Sequence, residues 1–315
     1  MGFNPMEILK WAKEHLAEGV AFSGLDDDSR SMCSPGYLKE MASFAADNNM
    51  YLEWGGGQHI PRDLGNWGVR ELFEINRKSA EEAKILGTRI IRSCSGGLMR
   101  WNPDSLPTIQ LMEEMAEALS RQLQMLRDNQ VILAIETHFE FTTFELLKVF
   151  EWCNVAPGDC LGICLDTMNL LTMLEDPVPA ANRVLPWIVS THIKDGGIRL
   201  TEDGLQSFTC PVGKGIVDLK TIISKLWEHD DNINLSIEDH GGEFNLPIFD
   251  SRFLLEFPDL TTGEMVDILE LARISGDKLE DGSCRILDRK DWPQHCEQRL
   301  GKDIEALKRI VNGRS

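Results

Sequence analysis

Short apolar runs alternate with amphipathic segments along most of this chain. Residues 19–25, 51–57, 88–95, 131–138, 161–167, 188–194 and 233–239 are rich in branched and apolar side chains and predict strands. Between them, apolar residues recur at three- and four-residue spacing and predict helices over 5–16, 35–48, 66–86, 106–129, 143–153, 178–185 and 219–228. Asn4 reads as the cap of the first helix and Pro5 as its first residue. Such alternation, with no long polar linker, implies parallel strands joined by right-handed crossovers. The expected class is α/β, a (β/α)8 TIM barrel. Seven strands are visible where eight are needed and the chain opens on a helix, so the expected barrel lacks its first strand, or has lost it upstream of Met1. After Gly242 the pattern changes to an amphipathic stretch over 262–274 and a helix over 296–311. The expected division is therefore 1–242 for the barrel and 243–315 for a helical extension packed on it, not an independent domain.

Residues two apart in a strand share a face. Ile132, Ala134, Glu136 and His138 line up, as do Cys164, Asp166 and Met168, then Ser190, His192 and Lys194, then Ser236, Glu238 and His240. The opposite faces carry Leu133, Ile135, Ile163, Leu165, Val189, Ile193, Leu235 and Ile237, apolar enough to lie under helices. Four successive strands thus end with Glu136, Asp166, His192 and Glu238 at the same phase, where a barrel gathers its active groups. Taken singly, each acid reads as a loop solubiliser or helix cap, and His192 as a core histidine. The recurrence points instead to a metal. Three carboxylates brought together would oppose one another's ionisation, and one divalent cation removes that cost. Oxygen ligands with one imidazole suit Mn²⁺, Mg²⁺ or Co²⁺ and admit Zn²⁺.

Composition narrows the partners. Hydrophobic residues at 42% allow a sizeable core, while 51 acidic against 32 basic residues give a formal charge of −19. That surplus repels a polyanion, so nucleic acid is excluded as a partner, and it otherwise reads as a solubilising surface. The eight cysteines are scattered without a C-x-x-C pair and read as reduced, in a cytoplasmic protein. The first residues lack the pattern of a signal peptide, and no run is long enough to span a bilayer.

With E-T-H at 136–138, L-D-T-M-N at 165–169, H-I-K-D at 192–195, G-K-G-I-V-D-L at 213–219 and I-E at 237–238, the chain resembles the xylose isomerase-like TIM-barrel superfamily, in its sugar-phosphate isomerase/epimerase-like branch. The resemblance covers 20–240. It implies that Glu136, Asp166, His192 and Glu238 hold the ion and that Glu136 and Glu238 also act as the acid/base pair. The expected function is a divalent-metal-dependent isomerase or epimerase of a small sugar or sugar derivative, working through an enediolate. The alternative is a lyase, a decarboxylase or dehydratase of an oxo-sugar acid, which a cationic Arg92 and Lys194 aimed at the ion would favour. An endonuclease IV-like enzyme fits poorly with seven histidines and an acidic chain; a non-catalytic barrel is the remaining class.

His138, Lys194 and His240 share the inward face and are candidate substrate contacts. Trp54 and His59 could offer a sugar platform and a polar contact, though core packing suits Trp54 as well. Arg92 should point inward with Ile90 and Cys94. Asn169 stands where the ketose 3-epimerases carry a histidine, so that contact is not reproduced. Gly213, Lys214 and Gly215 could present backbone N–H groups to an anion, although a plain turn explains them better. The expected partner is a small carbohydrate, and the 243–315 tail could pair two copies into a homo-oligomer.

Overall fold

The computed structural model describes residues 4–22, 24–25, 27–94, 100 and 105–313. Six strands form one parallel sheet in chain order: β1 (Gly19–Phe22), β2 (Tyr51–Gly57), β3 (Ile90–Ser93), β4 (Ile132–Glu136), β5 (Leu161–Asp166) and β6 (Ile188–His192). Helices cross between them, as the alternation predicts, and the chain has the TIM-barrel fold. Leu133, Ile135, Ile163, Leu165 and Ile193, on the faces read as outward, are fully buried. Burial of this kind stabilises by about 1.5–3 kcal/mol per side chain.

The predicted strand at 233–239 shrinks to a single parallel bridge between Ile193 and Ile237. A side chain explains why. Thr191 Oγ1 donates to the Asn234 carbonyl at 2.7 Å and accepts from Ser236 N at 3.3 Å, so it takes up backbone groups that a ladder would have used. The chain is held to the barrel from inside as well: Tyr51 Oη and Ser236 Oγ lie 3.0 Å apart, and Asn234 Nδ2 donates to Glu53 at 3.0 Å.

Two other expectations change. The helix expected over 66–86 starts only at Phe73 (Phe73–Leu86), because Asp63 Oδ1 accepts from Gly65 N and Asn66 N and folds that stretch into a turn. The helix expected over 106–129 is two, Thr108–Ser120 and Leu123–Asp128.

After β6 the chain builds a second, antiparallel sheet that the sequence pattern did not reveal: β7 (Asp195–Thr201), β8 (Gly204–Cys210) and β9 (Glu243–Leu246), in that order. Helix Thr262–Glu280 packs on it, with Ser275 Oγ accepting from Ile198 N at 3.0 Å. Asp195, the first residue of β7, settles the role of the glycines at 213–215. Its carboxylate accepts from Gly213 N and Gly215 N at 2.9 Å and from Gly196 N at 2.8 Å. The anion in that cradle belongs to the protein itself. Gly215 has no room for a side chain, since a Cβ there would lie 2.0 Å from Asp195 Oδ1. Among the described residues no helix is long and apolar enough to cross a membrane.

Candidate metal centre at the barrel mouth

Glu136, Asp166 and His192 are the last residues of β4, β5 and β6, and Glu238 follows the Ile237 bridge. Strand parity turns all four inward at one end of the barrel. One ligand atom from each lies within 4.8 Å of those of the others. Glu136, Asp166 and His192 are at most 2% exposed, while the Glu238 side chain is 25% exposed and forms the open edge of the group.

Asp166 divides its oxygens. Oδ1 accepts from Met168 N at 2.9 Å and Asn169 N at 2.8 Å, which fixes the carboxylate, and Oδ2 turns to the cluster, where Lys194 reaches it. His192 Nδ1 is likewise buried and faces the cluster, 3.3 Å from Glu136 Oε1 and 3.5 Å from Glu238 Oε2. A buried imidazole nitrogen converging with three carboxylates is a donor set suited to a cation. The donor set therefore fits a divalent ion.

Two cations of the chain reach the same oxygens. Lys194, 1% exposed, places Nζ 2.7 Å from Asp166 Oδ2 and 2.8 Å from Glu238 Oε2. Arg92 pairs with Glu136 and lies 3.8 Å from Glu238. Burial would raise both glutamates, but Arg92 and His192 hold Glu136 low, and Lys194, His192 and Arg92 hold Glu238 well below the usual carboxylate range. Burial works against the Lys194 ammonium, yet Asp166 and Glu238 keep it charged. Asp166 moves the other way, raised by burial and by its two neighbouring carboxylates in spite of Lys194. Three carboxylates compete for the ammonium and the guanidinium, and Asp166, the most enclosed, carries the shortfall. An added divalent charge relieves that shortfall.

Among the other candidates, Asn169 Nδ2 approaches Glu136 Oε1 at 3.5 Å. His138 Nδ1 lies 3.0 Å from Glu140 Oε1; burial would lower its pKa, and Glu140 raises it well above the ordinary value. With Cys94 these two form a second metal-type cluster beside the first. Glu140, two residues after His138, could have been found by extending the same parity. His240 stands at the rim, its Nδ1 2.7 Å from the Gly241 carbonyl and 3.0 Å from Arg289 Nη2. No pattern in the sequence singles out Arg289.

Trp54 is a correction. It is 1% exposed, donates Nε1–H to Glu82 of helix Phe73–Leu86 at 2.8 Å and packs edge-on to Phe22. Its neighbour Glu53 takes the inward position, so parity turns Trp54 into the helix layer and away from any sugar. His59 is fully buried near Arg92 and Glu136, with Nδ1 2.8 Å from Ser93 Oγ. Burial pushes its pKa down to about 4. The unfolded chain takes up this proton near pH 6.5 and the folded chain only near 4, so stability present above pH 6.5 is lost as pH falls through that window. His59→Gln should remove roughly 3 kcal/mol of that loss. Urea titrations of the two proteins at neutral and acid pH check this, and parallel slopes would refute it.

The family model of the xylose isomerase-like TIM barrel matches residues 9–254. The chain belongs to that family. Among curated members it is 24% identical over 239 residues, 75% of this chain and 78% of the relative, to the 3-oxo-isoapionate decarboxylase of Pectobacterium atrosepticum. Among solved structures of this fold, the probable 3-DHS dehydratase AsbF of Bacillus anthracis superposes with a TM-score of 0.59 at 18% identity, covering 82% of this chain and 92% of that one. An L-ribulose 3-epimerase gives 0.56 at 20%, covering 88% and 89%. The IOLI protein, solved with a zinc atom, gives 0.58 at 15%, covering 89% and 94%. The curated relative and the neighbours of this fold thus carry decarboxylase, dehydratase and epimerase names.

Proposed function

We propose that this family member is a divalent-metal-dependent lyase of an oxo-sugar acid, with Glu136, Asp166, His192 and Glu238 as the ion's ligands. The observation that carries the choice is the pair of cations on the ligand cluster. Once a divalent ion takes up the carboxylates that Arg92 and Lys194 contact, a neutral sugar would offer the two cations hydrogen-bond acceptors but would not neutralise their charge in a nearly closed site. A substrate carboxylate would. The decarboxylase and dehydratase names among the relatives support the same class.

When bound, the ion supplies Lewis-acid polarisation of a hydroxy-carbonyl group. Arg92 holds the substrate carboxylate by charge-assisted hydrogen bonds. The carbon–carboxylate bond breaks, CO₂ leaves, and the electron pair stays on the sugar skeleton as an enediolate. Lys194, kept cationic by its acidic neighbours, then donates a proton to the carbon that lost CO₂. Glu136 and Glu238, held ionised, can instead remove a carbon-bound proton. That ability supports the second reading, an isomerase or epimerase, in which the proton returns to the other face or to the next carbon.

The test is incubation with a panel of 3-oxo sugar acids and ketoses in D₂O, followed by NMR. The expected result is CO₂ release with one deuterium at the vacated carbon. Arg92→Met should lower kcat/KM for the acid roughly ten- to a hundredfold, mostly through KM. Deuterium exchange into an intact ketose, without CO₂ or water loss from any acid, would overturn the lyase assignment in favour of the epimerase.

A further inference from the structure

Glu136 and Asp166 end strands with a parallel neighbour on each side, and His192 ends β6 beside β5. Glu238 has no such support. It follows one isolated bridge, and its N–H reaches the Ile193 carbonyl only at 3.4 Å. The next residue carries the restraint instead. Asp239 Oδ1 accepts from His240 N at 2.7 Å and Gly241 N at 2.9 Å, closing a tight turn directly after Glu238. Asp239 Oδ2 meets Arg299 Nη2 at 2.5 Å, and Arg299 Nε donates to Asp303 at 2.8 Å. Asp303 in turn accepts from Val212 N at 3.0 Å. The three side chains are 3%, 10% and 2% exposed, so this is an enclosed ion-pair chain and not a solvated surface contact.

A second tie comes from the same part of the molecule. Gly242 N donates to the Leu287 carbonyl at 2.9 Å. Gly241, at φ +65°, leaves only 3.0 Å between the place of a Cβ and that carbonyl. Arg299, Asp303 and Leu287 all lie beyond residue 254, where the family match ends. The part of this chain outside the family match therefore holds the one ligand that the barrel ladder leaves loose.

We infer that Arg299 is a positioning residue: through Asp239 it sets the Glu238 carboxylate within reach of the other three ligands, so that the C-terminal extension completes the metal centre. This rests on the metal assignment above, and the experiment separates the two. Arg299→Ala, Arg299→Lys and, as a control on the same helix, Lys302→Ala, which changes an exposed side chain, are compared by amide exchange and by titration with Mn²⁺ alone. In Arg299→Ala, exchange should accelerate over 238–242 while β4, β5 and β6 keep their protection, and Mn²⁺ should bind about 10- to 100-fold more weakly. Arg299→Lys should recover part of both effects, because one ammonium can still pair with Asp239, and Lys302→Ala should change neither. Should Arg299→Ala fail to fold, Asp239→Asn carries the same expectations, since it keeps the turn's acceptor oxygen and removes only the ion pair. Unchanged Mn²⁺ affinity, or faster exchange spread evenly over the barrel, overturns the inference and leaves the metal assignment standing. If the wild type takes up no Mn²⁺, the metal assignment fails. The positioning role is then decided by exchange: a local rise over 238–242 supports it and no rise overturns it.

Discussion

Asp166→Asn is expected to strip the protein of its divalent ion and to lower kcat/KM by at least about a thousandfold, the equivalent of several kcal/mol of Lewis-acid stabilisation. The substitution keeps the shape and most of the hydrogen bonds. Asp166 Oδ1 serves Met168 N and Asn169 N, and the amide oxygen can take over that work. The other position fails. Oδ2 lies 2.7 Å from Lys194 Nζ, and an amide nitrogen there would set donor against donor at the point where the ion needs an oxygen. Glu136→Gln should behave alike, with its amide facing Arg92. Metal analysis after dialysis, together with steady-state kinetics, checks both. A full complement of ion in Asp166→Asn would remove it from the ligand set.

Lys194→Met should separate stability from catalysis. Without its ammonium, Asp166 and Glu238 become buried negative charges with less compensation, and breaking a buried pair on one side costs about 3–5 kcal/mol. For a chain of this size the melting point in chelator should fall on the order of 10 °C. Added ion should return about 2.7 kcal/mol of that at a hundred times its Kd, because it neutralises the same carboxylates. Activity should not return with it. The methionine cannot donate a proton, a loss of roughly 10²–10⁴ in rate. Equal melting points for mutant and wild type in chelator would show that Lys194 does not balance the cluster.

The sequence exposed what depends on strand parity. β4, β5 and β6 are apolar on one face and small, then polar, on the other, so Glu136, Asp166 and His192 could be assigned a common direction before any coordinates. Arg92 followed by the same count from Ile90. The pattern failed where neither face is distinctive. In Tyr51–Gly57 the polar Glu53 and the aromatic Trp54 compete for the inward position, three glycines follow, and parity alone does not say which residue turns in. It failed again at Asp195–Thr201, because this strand runs on almost directly from β6 and its partner Gly204–Cys210 mixes polar and apolar residues at both parities. A D-G pair at 203–204 was the local sign of that hairpin. Arg299 was beyond reach altogether. Its partner Asp239 is sixty positions away, and a lone arginine on an amphipathic helix has no mark that separates an enclosed strut from a solvated charge.

One layer below the ligands, Glu53 bonds Asn234 and Ser190, and Tyr51 meets Ser236 across the barrel. Among the described residues these buried contacts floor the centre and leave Glu238 as the exposed edge of the group, the side from which the proposed substrate would approach. Under the lyase proposal the sugar product would leave past the same edge and should compete directly with the substrate for the free enzyme.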